Sequence, residues 1–402
     1  MKPVNSVFSQ YGITIFAQIS QLASEHQAVN LGQGFPDEDG PDSLKQALDC
    51  ATRERPNQYP PLLGVPELRQ AVARHDQRHY GLTTDWQSEV LITCGATEAL
   101  AASFFGLLNP GDEVILLEPL YDAYLPLVQR AGGVARTVRL QPPDWALPEA
   151  ELQAAFNERT KLLVLNSPMN PTGKVFSHAE LQCIAELLTR FDAYAVCDEV
   201  YEHLVFDDRV HQPLSTLPGM RPRCVRIGSA GKTFSMTSWK IGYINAPAPL
   251  LNAVAKAHQF MVFTLPANLQ LAVAHGLDHE QAWYMGLAAQ LQRKRDRLAA
   301  GLEQLGVQVL PTEGTYFINA DFSPLGFTVT GDDLCRRLII EAGLATVPVS
   351  AFYSPGAERE SAGGEREPVG AVREPPLLRL CFCKQDRLLD QGLARLKEFL
   401  QQ

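Results

Sequence analysis

Basic residues are in deficit. Lys and Arg number 35 against 45 Asp and Glu, a formal net charge of −10 over 402 residues. That balance offers no cationic stripe for a phosphate backbone or an anionic lipid surface, so neither nucleic acid nor membrane is expected as a partner. No apolar run comes near the roughly eighteen residues that a membrane span needs. The opening MKPVNSVFSQYG has no apolar stretch behind its single Lys, so no secretory signal is expected. No CxxC pair occurs among the eight cysteines (Cys50, Cys94, Cys183, Cys197, Cys224, Cys335, Cys381 and Cys383). Scattered over a long chain, all eight are expected to be reduced core thiols of a cytoplasmic protein, with Cys381 and Cys383 on one face of a strand. No repeat or low-complexity array is visible.

Apolar material is ample: hydrophobic residues make up 46% of the chain and charged ones 20%, which is globular composition with room for a large core. From about residue 89 to 246, short β-rich runs alternate with helical patterns. Strands are expected at 89–94, 113–117, 134–140, 161–166, 194–198, 224–228 and 242–246, with helices at 96–108, 121–131 and 179–191. Such alternation implies an α/β fold, a mostly parallel sheet covered by helices on both faces. The chain then turns helical through about 305. It ends in a smaller α+β unit, with strands near 306–310, 315–320 and 377–382 and helices near 332–342 and 387–400. The expected division is an N-terminal segment, 1–40, packing on the small domain; a large domain, 41–290; and a small domain, 291–402. Residues 356–376, rich in Gly, Pro, Glu and Arg, are expected to form an exposed, mobile loop.

Some motifs are incomplete. Gly231-Lys232-Thr233 ends like a phosphate-binding nucleotide loop, but the required first glycine is replaced by Arg226. Gly32-Gln33-Gly34 begins like a dinucleotide fingerprint, yet Asp37 stands at its third glycine. His75 and His79, and again His275 and His279, have the spacing of two metal ligands on one helix face. No Glu follows either first His and no third ligand is signalled, so both are read as surface pairs and no metal site is expected.

Four polar clusters follow strand patterns directly: Asn166-Ser-Pro-Met-Asn170-Pro-Thr-Gly173; Cys197-Asp198-Glu199-Val200-Tyr201; Gly228-Ser229-Ala-Gly-Lys232, with Trp239-Lys240-Ile-Gly242 after it; and Leu378-Arg379-Leu380. Polar groups at the carboxyl ends of parallel strands converge on the ligand crevice of an open α/β sheet. With Asn30–Asp37 (NLGQGFPD), Asn57-Gln-Tyr59, Gly95–Leu100 (GATEAL) and Glu313–Phe317 (EGTYF), they carry a resemblance that runs from about residue 12 to 400. The sequence resembles class I, fold-type I aminotransferases that use pyridoxal 5′-phosphate (PLP), and most of all the methionine and kynurenine–glutamine branch. The resemblance implies a three-layer αβα large domain with a mostly parallel sheet, plus a smaller α+β domain.

It also implies roles. Lys232 matches the lysine that joins the cofactor aldehyde and then shuttles the substrate proton. Asp198 matches the carboxylate that keeps the pyridine nitrogen protonated. Tyr201 and Asn170 match the donors to the ring oxygen, and Tyr121 matches the ring stacked on the cofactor face. Gly95, Ala96, Thr97, Ser229 and Lys240 match the phosphate cradle, where Lys240 replaces the arginine of many relatives. Tyr59 matches a tyrosine that reaches the phosphate across a homodimer interface, so active sites would be shared. Arg379, Gly34 and Asn170 match the grip on the substrate carboxylate. Tyr11, Ile13, Phe16 and Tyr121, with Phe263 and Thr264 of a partner subunit, match the side-chain pocket. The implied activity is transfer of the amino group of a large neutral amino acid (methionine, glutamine, an aromatic or kynurenine) to a 2-oxo acid. The alternative is a PLP-dependent cysteine-conjugate C–S β-lyase, which would use the same Lys and Asp.

Overall fold

The computed structural model describes residues 2–354, 359–360, 366–367 and 375–401. The loop expected at 356–376 therefore falls almost wholly outside the described residues.

Seven strands form the central sheet: β1 (Val90–Cys94), β2 (Glu113–Glu118), β3 (Val134–Arg139), β4 (Thr160–Asn166), β5 (Tyr194–Asp198), β6 (Cys224–Ser229) and β7 (Ile241–Asn245). Their order is β1-β7-β6-β5-β4-β2-β3, with β7 the antiparallel member. Runs such as VILLE and LLVLN are buried nearly throughout, as strands sandwiched between helical layers must be. The edge strand β3 reads VARTVR and alternates exposed with half-buried positions; its charges blunt an edge that could otherwise recruit another chain.

Helices cover both faces. Helix α1 (Ile15–Glu25) starts where the Thr14 hydroxyl accepts from the Ala17 amide. Helix α2 (Pro66–Tyr80) opens on a proline at its first position and closes on Gly81 at φ 68°. Helix α3 (Gly95–Leu107) follows β1 without an intervening residue. Helix α4 (His178–Arg190) carries a capping box between Ser177 and Glu180, worth about 1 kcal/mol. One apolar cluster, with Leu163, Ile184 and Leu188, fills one side of the sheet; another, with Leu100, Phe104 and Val254, fills the other.

Helix α5 (Gln281–Gln304) runs without a break across residue 290. Beyond it lie β8 (Gln308–Val309), β9 (Phe317–Asp321), β10 (Val347–Pro348) and β11 (Leu377–Cys381), in the antiparallel order β10-β11-β9-β8, and then helix α6 (Asp386–Leu400). The N-terminal stretch reaches this unit, because Val29 and Asn30 pair in parallel with Leu344 and Ala345. No helix among the described residues is long and apolar enough to cross a membrane.

Two expectations need correction. All eight thiols are free, but they are not all in the core: Cys50 is exposed, and Cys94 and Cys183 are half-buried, because their positions fall on the outer flanks of helices or at a strand end. His75 and His79 are not a surface pair. His75 is completely buried, because the inner face of α2 packs under the sheet, and His203 completes a cluster of three with them.

Candidate active site

Strand registry brings the polar clusters together. Asn166 ends β4 directly beside Asp198 at the end of β5, and Ser229 ends β6 opposite Gly242 of β7. Gly95 begins α3 immediately past β1. These termini open on one cavity of about 310 Å³, closed from above by Phe16, Gly34, Phe317 and Arg379. Of the eighteen residues expected at the site, thirteen line it: Phe16, Gly34, Gly95, Ala96, Thr97, Tyr121, Asn170, Asp198, Tyr201, Ser229, Lys232, Lys240 and Arg379.

Tyr59 and Phe263 stand outside with 82% and 47% exposure, their rings edge to face at 5.4 Å. Tyr11, Ile13 and Thr264 are not among the lining residues either. Ile13 precedes the Thr14 cap and is 70% exposed, while the Tyr11 hydroxyl bonds Gln129. Only Phe16, on the first turn of α1, reaches the cavity from that segment.

At the floor, Tyr124 donates its hydroxyl to Oδ2 of Asp198 at 2.6 Å, while Oδ1 is buried without a partner. Burial pushes the Asp198 carboxyl up to about 6, and the Tyr124 bond opposes that rise. A buried carboxylate oxygen without a donor is costly unless a ligand supplies one.

Lys232 sits on the single helical turn Ala230–Thr233 that follows β6. Its Nζ donates to the Tyr316 hydroxyl at 2.7 Å, and Tyr316 donates to the Gly34 carbonyl at 2.7 Å. Burial lowers the Lys232 ammonium to about 8, so about a tenth of it is a free amine at pH 7.

On the far side, the Gly95, Ala96 and Thr97 amides open the thirteen-residue helix α3, whose first turn lacks backbone acceptors and favours anions. Gly95 has φ 67°, where glycine is favoured, and a Cβ there would stand 3.1 Å from Lys240 Nζ, closer than ordinary contact. Together the amides and the Lys240 ammonium form an anion cradle.

Arg379 projects from β11. Nη1 donates to Asn170 Oδ1 at 2.9 Å and Nη2 to the Gly32 carbonyl at 3.0 Å, while Nε has no partner. Phe317, Phe352 and Phe16 surround the guanidinium at 4.0, 4.8 and 5.3 Å. Burial lowers it to about 10, still cationic at neutral pH. A carboxylate arriving here meets a planar donor held by aromatic faces.

Three contributors escaped the sequence reading. Tyr124 lies one helical turn after Tyr121, a spacing that was itself a signal. Tyr316 sits inside the Glu313–Phe317 motif. Arg226, which breaks the nucleotide-loop pattern, is buried and clasps Asp76, Glu199 and Glu202 beneath the site. An unpaired carboxylate, a proton-accepting amine and an anion cradle in one cavity fit PLP: its ring nitrogen, its aldehyde and its phosphate each find a complementary group.

Comparison with known proteins agrees with this donor set. Residues 26–396 match the family model described as aminotransferase class I and II. The chain is 45% identical over 388 residues to a probable N-succinyldiaminopimelate aminotransferase of Mycobacterium tuberculosis, covering 96% of both chains. It is 38% identical to the methionine aminotransferase of Escherichia coli, covering 98% of this chain and 97% of that one. The solved structure of N-succinyldiaminopimelate aminotransferase from Mycobacterium tuberculosis superposes with a TM-score of 0.92 at 44% identity, over 98% of this chain and all of that one. In sequence, in fold and in the chemistry its cavity is equipped to perform, the chain belongs to the class I and II aminotransferases and is a PLP-dependent enzyme.

Proposed function

We propose that this aminotransferase moves the amino group of a large neutral amino acid to a 2-oxo acid. The observation that carries the reading is the wall above the cavity. Arg379 is the lone arginine among the described lining residues, and Phe16, Tyr121 and Phe317 line the same cavity. One guanidinium serves the α-carboxylate, and apolar rings remain for the side chain. A second reading rests on the 45% identity to the probable N-succinyldiaminopimelate aminotransferase, in which case the substrate would carry further carboxylates.

When bound, PLP supplies an aldehyde that condenses with amines and a protonated ring that withdraws electron density from the substrate Cα. Asp198 would hold the ring nitrogen, with Tyr201 and the Asn170 amide at the ring oxygen and Tyr121 against the ring face. The Gly95, Ala96 and Thr97 amides, Ser229 and Lys240 would hold the phosphate. Lys232, partly neutral at pH 7, accepts a proton from the substrate Cα and returns it to the other side of the transfer. Tyr316 holds the amine on line through its bond to Gly34. Arg379, Gly34 and Asn170 orient the carboxylate. The same lysine would serve a C–S lyase; what separates the two activities is retention of the amino group for an acceptor.

The active unit in this proposal is a homodimer. Tyr59 and Phe263 are exposed aromatic rings that belong in a partner's site, and Phe260 beside them is 84% exposed. Eight free thiols support a cytoplasmic setting.

The test is a cofactor spectrum recorded with single amino acids in the absence of any 2-oxo acid. Conversion to the amine form of the cofactor by methionine, glutamine or an aromatic amino acid supports the proposal. Conversion only by N-succinyldiaminopimelate favours the second reading. Release of pyruvate and a thiol from a cysteine conjugate, without conversion, replaces both with the lyase.

A further inference from the structure

Beneath the sheet, away from the cofactor cavity, three imidazoles meet. His75 and His79 lie one turn apart on α2, and His203 follows Tyr201 and Glu202 in the chain. One ring nitrogen of each lies within 4.8 Å of the others. His75 Nε2 and His203 Nε2 are 2.8 Å apart, and His79 Nε2 is 3.0 Å from the Tyr284 hydroxyl at the start of α5. The His75 and Tyr284 side chains are fully buried. We propose that His75, His79 and His203 form a binding site for a divalent transition-metal ion, with zinc the best match and Tyr284 or water as the fourth ligand.

Ligand type is the first argument. Three imidazoles suit zinc, cobalt, nickel or copper, and they suit magnesium or calcium poorly. A tetrahedral zinc with bonds of about 2.0–2.1 Å holds its nitrogens a little over 3 Å apart, so rotations of the rings suffice to admit it. Position is the second. Two rings come from α2 and the third from the segment after β5, and the His75 side chain is fully buried, so the fold itself holds the cluster together.

Charge is the third argument, and it is independent of the rings. Beside the cluster, Asp76, Glu199 and Glu202 share the one guanidinium of Arg226; His211 also meets Glu199 at 3.1 Å. His75 Nδ1 is buried without a hydrogen-bond partner, and an Asp76 oxygen already held by Arg226 lies 3.9 Å from it. Buried carboxylates in excess of buried cations call for another positive charge. A dication in the imidazole cluster supplies it. Such an ion would tie α2, the turn after Tyr201 and the root of α5 into one unit.

The test uses the PLP-loaded enzyme, stripped with a chelator and titrated with Co²⁺ as a coloured stand-in for zinc. The expected result is one ion per chain with strong tetrahedral ligand-field absorption, displaced by Zn²⁺. His79→Gln and His203→Gln should each weaken binding at least tenfold, while His275→Gln, in the other histidine pair, should leave it unchanged. X-ray absorption on the wild-type enzyme depends on no variant and should count three imidazoles around the metal. Absence of binding, fewer than three imidazoles, or binding that survives His79→Gln but not His275→Gln overturns the proposal.

Discussion

Tyr124 and Asp198 are joined by a 2.6 Å hydrogen bond that fixes one carboxylate oxygen and leaves the other free to face the cavity. The phenol therefore decides both where the carboxylate points and how readily it ionises. Tyr124→Phe removes a bond to a charged group, worth about 1.5–3 kcal/mol. It should weaken PLP binding by roughly 10- to 100-fold. The bond opposes the burial-driven rise of Asp198, so its loss moves that carboxyl further above about 6. Cofactor binding in the variant should fail at a higher pH than in the wild type as acid is added. Equilibrium dialysis of PLP across pH 5–8 measures both effects, and an unchanged acid limb would refute the assignment.

Lys232 makes the apoenzyme less stable than it could be. Its ammonium loses its proton near 8 in the fold but near its ordinary 10.5 in the unfolded chain. Below pH 8 folding carries the full cost of burying the charge. Between 8 and 10.5 the unfolded state binds more protons, so stability rises with pH and the cost fades. Apo Lys232→Met should accordingly be more stable than the wild type at pH 7, by about 3 kcal/mol, with the gap closing towards pH 10. Urea unfolding of the two apo proteins at both pH values checks the sign.

Tyr316→Phe cuts the connection from Lys232 to the Gly34 carbonyl without emptying the space. Loss of one hydrogen bond, at about 0.5–1.5 kcal/mol, should lower kcat by roughly 2- to 10-fold. KM for the amino donor should hardly move, because the carboxylate grip at Arg379 is intact. A large rise in KM would instead place Tyr316 in substrate binding.

Mixed dimers test the exposed tyrosine. Tyr59→Ala and Lys232→Ala homodimers should each be nearly inactive. Subunits of the two exchanged together build hybrids in which one site has both native residues, restoring about a quarter of wild-type activity. No recovery on mixing would mean that Tyr59 acts within its own subunit or not at all.

Most of this architecture is legible in the chain because parallel strands are buried on both faces and announce themselves as apolar runs. LLVLN ends in Asn166 and VLITC is followed at once by Gly95, both at the cavity, and thirteen of the eighteen expected residues line it. What escaped were residues whose meaning is set by distant partners. Tyr124 reads as one more helix aromatic until Asp198 comes within reach, 74 residues later in the chain. His203 lies 128 residues beyond His75, so no local spacing could reveal the third imidazole.

Helix α5 buries Tyr284 in the apolar cluster that flanks Lys232 through Ala230 and Phe234, and Leu287, Leu291, Leu298 and Leu302 in the cluster that flanks Arg379 through Leu378 and Leu380. The two groups that would clasp a substrate are thus coupled by a stiff rod rather than a slack tether.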